Sequence, residues 1–309
     1  RVIDCHAHCN LREHVRFIND RSLRHMLSTF PYYSLEDSIR IKRLMYGGKD
    51  VRSLRFAKTF RGIDHRAANE YLLRQSPAQD RVAVYGLPED VPYTIEAMHD
   101  PRCSAVKMYW SYIEPPAEKI YQFFPTAVLE EAQAHGIPII LHLPKMIVRC
   151  IDDFQRLVAD FPRLRIVLAH LGLSKLPVPG LEEAFAAAAK HPNVLMDTSL
   201  NPSPEVMLLA LRAFGTDRIM FGSDEPLHLI RSVAFKHPVH GERIATEYPY
   251  HWIDPAEHAE YKHLAAGAIH AHWQSVGAIK SALARIPGPN VERMKQRIFY
   301  ENAREYFDF

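Results

Sequence analysis

The stretch that decides the fold runs from Arg165 to Asp197. It holds an apolar, β-branched run, Arg165-Ile166-Val167-Leu168-Ala169-His170, then a helical segment Leu181–Lys190, the turn His191-Pro192-Asn193, and a second apolar run ending at Asp197. Short apolar runs bounded by turn signals read as buried strands, and a helix between two of them is the signature of a parallel pair with a crossover. Pro192 stops the helix before the second strand starts.

The same unit repeats outward in both directions. Strands are expected at Val2–Cys5, Val51–Ala57, Val82–Leu87, Ala105–Tyr109, Pro138–His142, Arg165–His170, Asn193–Asp197 and Arg218–Gly222. Helical stretches are expected at Leu35–Tyr46, Ala117–Ala134, Asp152–Asp160, Leu181–Lys190 and Pro204–Phe214. Eight strand-helix units close a (β/α)8 TIM barrel. The rival, a doubly wound open sheet, would place a Gly-rich phosphate loop after the first strand, and none is there. The expectation is one barrel domain over residues 1–309 with two insertions, Asn10–Tyr33 after strand one and Pro226–Gly277 after strand eight. Both leave the C-terminal ends of strands, where barrel active sites sit, and both read as a lid or as the interface of a homodimer.

Composition removes whole classes. Lys and Arg number 38 against 36 Asp and Glu, a net charge of +2, so nothing points to nucleic acid or an anionic membrane. The 4 cysteines, at positions 5, 9, 103 and 150, form neither a zinc-knuckle spacing nor a disulfide framework and fit a reducing, cytoplasmic setting. No apolar run is long enough to span a membrane, and no signal-like stretch precedes Val2. The oddity is 18 histidines.

Strand ends sort those histidines. Strand one finishes Asp4-Cys5-His6-Ala7-His8, and residues two apart on an extended chain project to one side, so His6 and His8 point together into the mouth. Strand five ends at His142, strand six at His170, and strand eight in Gly222-Ser223-Asp224. Imidazole and carboxylate suit Zn2+, Mn2+ or Fe2+; three His and one Asp leave a position open for water, and a further His serves as an acid-base or polarising group. Water on such a metal loses a proton near neutral pH and becomes the nucleophile. Asp4 either orients a ligand His or caps a turn. Lys107, ending strand four, binds a substrate anion, bridges a second metal as a carbamate, or reaches out to water. Asp197 caps a loop through Thr198-Ser199 or joins the site. The His270-Ala271-His272 pair lies in a stretch that reads as helix, where residues two apart diverge, and is not expected to be a metal site. Cys5 and Cys9 are expected to pack rather than react.

The motifs Val2-Ile3-Asp4-Cys5-His6-Ala7-His8, Ile140-Leu141-His142, Val167-Leu168-Ala169-His170-Leu171-Gly172, Met220-Phe221-Gly222-Ser223-Asp224-Glu225-Pro226 and Ile298-Phe299-Tyr300-Glu301-Asn302-Ala303-Arg304 resemble the metal-dependent amidohydrolase superfamily. The likeness is to the amidohydrolase-2 branch that includes aminocarboxymuconate-semialdehyde decarboxylase. The resemblance implies that His6, His8, His142 and Asp224 bind one metal, most often zinc. It also implies that Asp224 takes a proton from water and that His170 polarises a carbonyl or shuttles a proton. The branch hosts hydrolases and non-oxidative decarboxylases. Gly172-Leu173-Ser174-Lys175 lacks the acidic residue expected of the decarboxylases, and Leu143-Pro144-Lys145 departs from their pattern too. The expected reaction is therefore hydrolysis of an amide, lactam or lactone in a small carboxylated molecule, with decarboxylation of an aromatic or unsaturated acid as the alternative. Lys107, Lys145 and Arg61 are the candidate partners for the substrate carboxylate.

Overall fold

Eight parallel strands pair in strict sequence order in the computed structural model: β1 (Val2–His8), β2 (Val51–Phe56), β3 (Arg81–Tyr85), β4 (Cys103–Met108), β5 (Ile139–Leu141), β6 (Ile166–Leu168), β7 (Val194–Asp197) and β8 (Ile219–Met220). The structure describes residues 1–16, 30, 32–59, 62–113, 115–250, 253–287 and 290–309. The seam between β8 and β1 is held by backbone bonds from Cys5 N to Phe221 O at 3.0 Å, Asp224 N to His6 O at 2.8 Å and His8 N to Glu225 O at 2.8 Å. The nearly closed barrel expected from the repeat is what forms.

Between the strands run α1 (Leu35–Tyr46), α2 (His65–Gln75), α3 (Val91–Met98), α4 (Thr126–His135), α5 (Ile147–Asp160), α6 (Leu181–Ala189) and α7 (Pro204–Phe214). Helix α1 starts where Ser34 Oγ accepts from Asp37 N and stops at Gly47, whose φ of 55° is left-handed. Sequence periodicity finds α1 and α7 to the residue. It passes over α2, which is largely polar, and α3, which is one short stretch with Pro92 in its first turn. The expected helix Ala117–Ala134 is corrected: Pro125 breaks it, leaving a short 3-10 turn at Ile120–Gln122 before α4.

Ile3, Cys5, Leu54, Phe56, Ala83, Ala105, Ile140, Val167, Leu195 and Met220 fill the barrel interior. Tyr300, Ala303 and Phe307 join this cluster from the chain's last turns. They are fixed there because Asn302 Nδ2 donates to Thr216 O and Ile219 O, both at 2.7 Å. That plugs the end where the strands begin and leaves the other end open for chemistry.

The segment after β8 carries an antiparallel hairpin, β9 (Ser232–His237) with β10 (Gly241–Thr246), then α8 (Pro255–Tyr261) and α9 (Ala271–Leu283). Most of the insertion expected after strand one, residues 17–29 and 31, lies outside the described residues, as does Arg61. No helix among the described residues is long and apolar enough to cross a membrane.

Candidate active site

A bulge decides where the first histidines go. Asp4 pairs with Ser53 of β2 but Ala7 pairs with Arg55, so β1 spends one extra residue between them. The extra residue breaks the alternation. Ile3 and Cys5 face the interior cluster, yet His6 and His8 also reach the mouth, while Asp4 is turned to the outer wall. There Asp4 Oδ2 accepts from Lys42 of α1 at 2.9 Å and Asp4 Oδ1 from Ser223 N at 2.8 Å. Asp4 therefore anchors the residue before Asp224; of the two roles open to it, it takes the structural one.

The carboxylate that orients His6 comes from β7. Asp197 Oδ2 lies 2.8 Å from His6 Nδ1, and Asp197 Oδ1 accepts from His170 N at 2.9 Å, from Ser199 N at 3.0 Å and from the Ser199 hydroxyl. It is a loop cap and a site residue at once. Burial pushes its carboxyl up, and His6 beside it outweighs that and holds it far below the usual range. His170 and Leu171 sit at φ values of 56° and 48°, a left-handed turn that sets the His170 ring under Ser199. Asp224 also has a left-handed φ, 60°, and just before it Gly222 passes the His6 side chain so closely that an added Cβ would lie 2.9 Å from His6 Cβ.

The ligand atoms of His6, His170 and Asp224 all lie within 4.8 Å of one another. Asp224 Oδ1 is 3.4 Å from His6 Nε2 and 3.1 Å from His8 Nε2. His142 stands one ring further out, edge-on to His170 at 5.0 Å between centroids, with Tyr109 at 4.8 Å on its other side. Burial lowers the basicity of all four imidazoles, that of His170 to about 4 and that of His142 well below the usual value, so they are neutral at physiological pH. Burial raises the Asp224 carboxyl, but the His8 hydrogen bond with His6 and His170 nearby overcomes it and keeps the group ionised. Lys107 is buried, its Nζ 2.9 Å from His6 Nε2 and 4.2 Å above the Phe56 ring, and desolvation brings it down to about 8. Lys145 is half exposed and pairs with Glu118 at 3.3 Å.

Comparison with known proteins then places the chain. The Amidohydro_2 profile, described as amidohydrolase, matches residues 3–309. The chain belongs to the amidohydrolase family. No curated protein matches it by sequence. Solved structures share its fold. One is an amidohydrolase from Burkholderia multivorans with bound zinc, at 13% identity and TM-score 0.63, covering 100% of this chain and 99% of that one. Another is a putative 2-pyrone-4,6-dicarboxylic acid hydrolase from Pseudomonas putida, at 17% and 0.61, covering 99% and 97%. A third is the IDCase of Metarhizium anisopliae in apo form, at 14% and 0.60, covering 99% and 97%.

The family implies a divalent metal, and the donor set of this amidohydrolase fits one. His6 Nδ1 is held by Asp197, His8 Nδ1 by Ala57 O at 2.9 Å, His170 Nδ1 by Ser199 O at 3.1 Å and His142 Nδ1 by Leu143 O at 2.9 Å. With the Nδ1 proton given to its acceptor, each ring turns an Nε2 lone pair to the mouth for a ligand; for His8 that lone pair takes the place of the Nε2–H bond to Asp224. Lys107 donating to His6 Nε2 marks the same lone pair. Trp110 Nε1 approaches His142 Nδ1 at 3.1 Å and competes with Leu143 O for that atom, so His142 is the imidazole with the least secure tautomer.

Sequence reasoning missed some of the site. Ser199 was read only as part of a capped loop, Trp110 was absent, and so was Lys58, which follows β2, is buried, donates to Phe30 O at 3.0 Å and is lowered by desolvation to about 7. The strand-end rule that selected Lys107 would also have selected Lys58.

Proposed function

We propose that this amidohydrolase hydrolyses an amide, lactam or lactone bond in a small carboxylated molecule. One observation carries the reading: ionised Asp224 lies beside the Nε2 atoms of His6 and His8, and the Nδ1 atoms of His6, His8 and His170 each face a protein acceptor, so that Nε2 can turn to a ligand. His6, His8, His142 and Asp224 would hold the ion, with zinc the leading choice and Mn2+ or Fe2+ acceptable to the same donors. When bound, such an ion supplies Lewis acidity to a carbonyl and acidifies water. Asp224 accepts the proton from the attacking water and returns it to the leaving group. His170, neutral and fixed by Ser199, takes its place beside the carbonyl as polarising or proton-shuttling group. Lys107, with Lys145 and Arg61, is the proposed partner of the substrate carboxylate, and buried Lys58 adds a cation at the same mouth. The structural neighbour from P. putida bears the name of a hydrolase acting on a carboxylated ring, which agrees with this substrate class.

The four cysteines are free, in keeping with a reducing, cytoplasmic setting. Exposed Val239, Tyr248, Ile269 and Trp273 on the long insertion support a homodimer. The deciding assay offers carboxylated lactones, lactams and amides alongside carboxylated aromatics. Ring opening without carbon dioxide release, lost together with bound metal in His142→Ala, is the expected result. Carbon dioxide release instead would make the enzyme a decarboxylase, and unchanged metal content in His142→Ala would overturn the ligand assignment.

A further inference from the structure

Among the described residues, the side chains capable of holding a metal cluster in one place besides the barrel mouth: His99, Glu131 and His135, whose ligand atoms lie within 4.8 Å of one another. His99 caps the C-terminal end of α3, and Glu131 and His135 are one turn apart in the second half of α4, His135 being its last residue. His99 Nε2 stands 2.7 Å and His135 Nε2 3.1 Å from the same oxygen, Glu131 Oε1. The two rings cross at 88° with centroids 4.8 Å apart, so both aim their Nε2 edge at one point rather than stacking on each other.

We infer that this triad is a surface site for a divalent transition-metal ion, with zinc the best match. Two imidazoles and one carboxylate are a known three-ligand set for zinc, with the fourth position left to water. Zinc bonds of about 2.0–2.2 Å put tetrahedral donors roughly 3.3 Å apart, so the two imidazole nitrogens, at 2.7 and 3.1 Å from the Glu131 oxygen, would each move outward by about half an ångström or less to admit an ion. The scaffold supplies a second and separate reason. Both helices present their C-terminal ends here, where unpaired carbonyls carry partial negative charge and favour a cation. Helices α3 and α4 lead into β4 and β5, so the site lies at the plugged end of the barrel, opposite the mouth. An ion here would clamp two neighbouring strand-helix units and take no part in turnover. The inference stands independently of the proposed reaction.

The test titrates zinc into holoenzyme that keeps its tightly held metal and has passed over chelating resin, followed by calorimetry. The wild type should take up one equivalent more than His99→Ala or His135→Ala, with kcat/KM equal in all three. Zinc should raise the thermal midpoint of the wild type and leave both variants where they are, because an ion that binds only the folded state stabilises it by mass action. Equal stoichiometry in wild type and variants, or an equal rise in midpoint, would show that the triad is an interhelical ion pair and overturn the inference. Loss of the mouth metal alone would change activity without changing this difference.

Discussion

Replacing Asp197 by Asn tests the arrangement of the site at its hinge. The carboxylate accepts from His170 N, Ser199 N and the Ser199 hydroxyl through Oδ1 and from His6 Nδ1 through Oδ2. An amide has one acceptor oxygen to offer. Three donors against one decide its orientation, so the amide oxygen stays with His170 and Ser199 and the NH2 turns to His6. His6 must then either bury an unpaired Nδ1 proton, at about 1–3 kcal/mol, or move that proton to Nε2 and lose the lone pair a metal needs. Removing the orienting partner of a ligand His lowers metal affinity or activity about 10–100-fold, equivalent to about 1.4–2.8 kcal/mol. The expected outcome for Asp197→Asn is a loss in that range in both metal affinity, by chelator competition, and kcat/KM. Nitrogen-15 chemical shifts of His6 should report a proton moved to Nε2. An affinity within about twofold of wild type, with the His6 tautomer unchanged, would refute the argument that Asp197 sets the lone pair.

Two further perturbations follow from packing and titration. Gly222→Ala places a methyl 2.9 Å from His6 Cβ and 3.3 Å from Ser199 Cβ, so it should cost about 1–3 kcal/mol in urea unfolding and depress turnover by shifting His6; a neutral effect on both would mean the close approach is unimportant. His272, 1% exposed among Tyr46, Phe221, His228 and Trp273 and with neither ring nitrogen bonded among the described residues, is lowered by burial from 6.5 to about 4. Its depressed folded value means the unfolded chain binds the extra proton between about 6.5 and 4, so stability falls as pH falls through that window. His272→Leu should therefore gain about 2 kcal/mol on wild type between roughly pH 7.5 and pH 5, and a gap that stays constant with pH would exclude the histidine as its source.

The eight strands were legible because each is a short apolar run closed by Gly, Pro or a polar end, and parallel strands buried on both faces need little else. The strand-end rule brought His6, His8, His170 and Asp224 to one mouth for the same reason. What stayed hidden depends on register. On a regular strand Asp4 and His6 share a face, which left orienting His6 open to Asp4 alongside capping a turn; the bulge between Asp4 and Ala7 separates them, and no residue type in Val2–His8 announces it. The orienting role passed to Asp197, distant in sequence and adjacent only once the barrel closes. Helices α2 and α3 were invisible because one buries few apolar side chains and the other is eight residues long. The His270–His272 pair was set aside on helix geometry; His272 does lie in the first turn of α9, but His270 precedes the helix as its non-helical cap.

The seam between β8 and β1 carries a topological cost that a list of ligands hides. Bonds that close the cylinder run through His6, His8 and Asp224 themselves, so the first and last strands meet on the residues proposed to hold the metal. A chain folding from either end has no site until its opposite end arrives, and a barrel that breathes at this seam disassembles its own donor set. An ion shared between His6 and Asp224 would act as a latch across more than two hundred residues of sequence. On the proposed ligand assignment, activity and closure of the cylinder would be one cooperative event, and opening the seam would be expected to abolish activity before global unfolding.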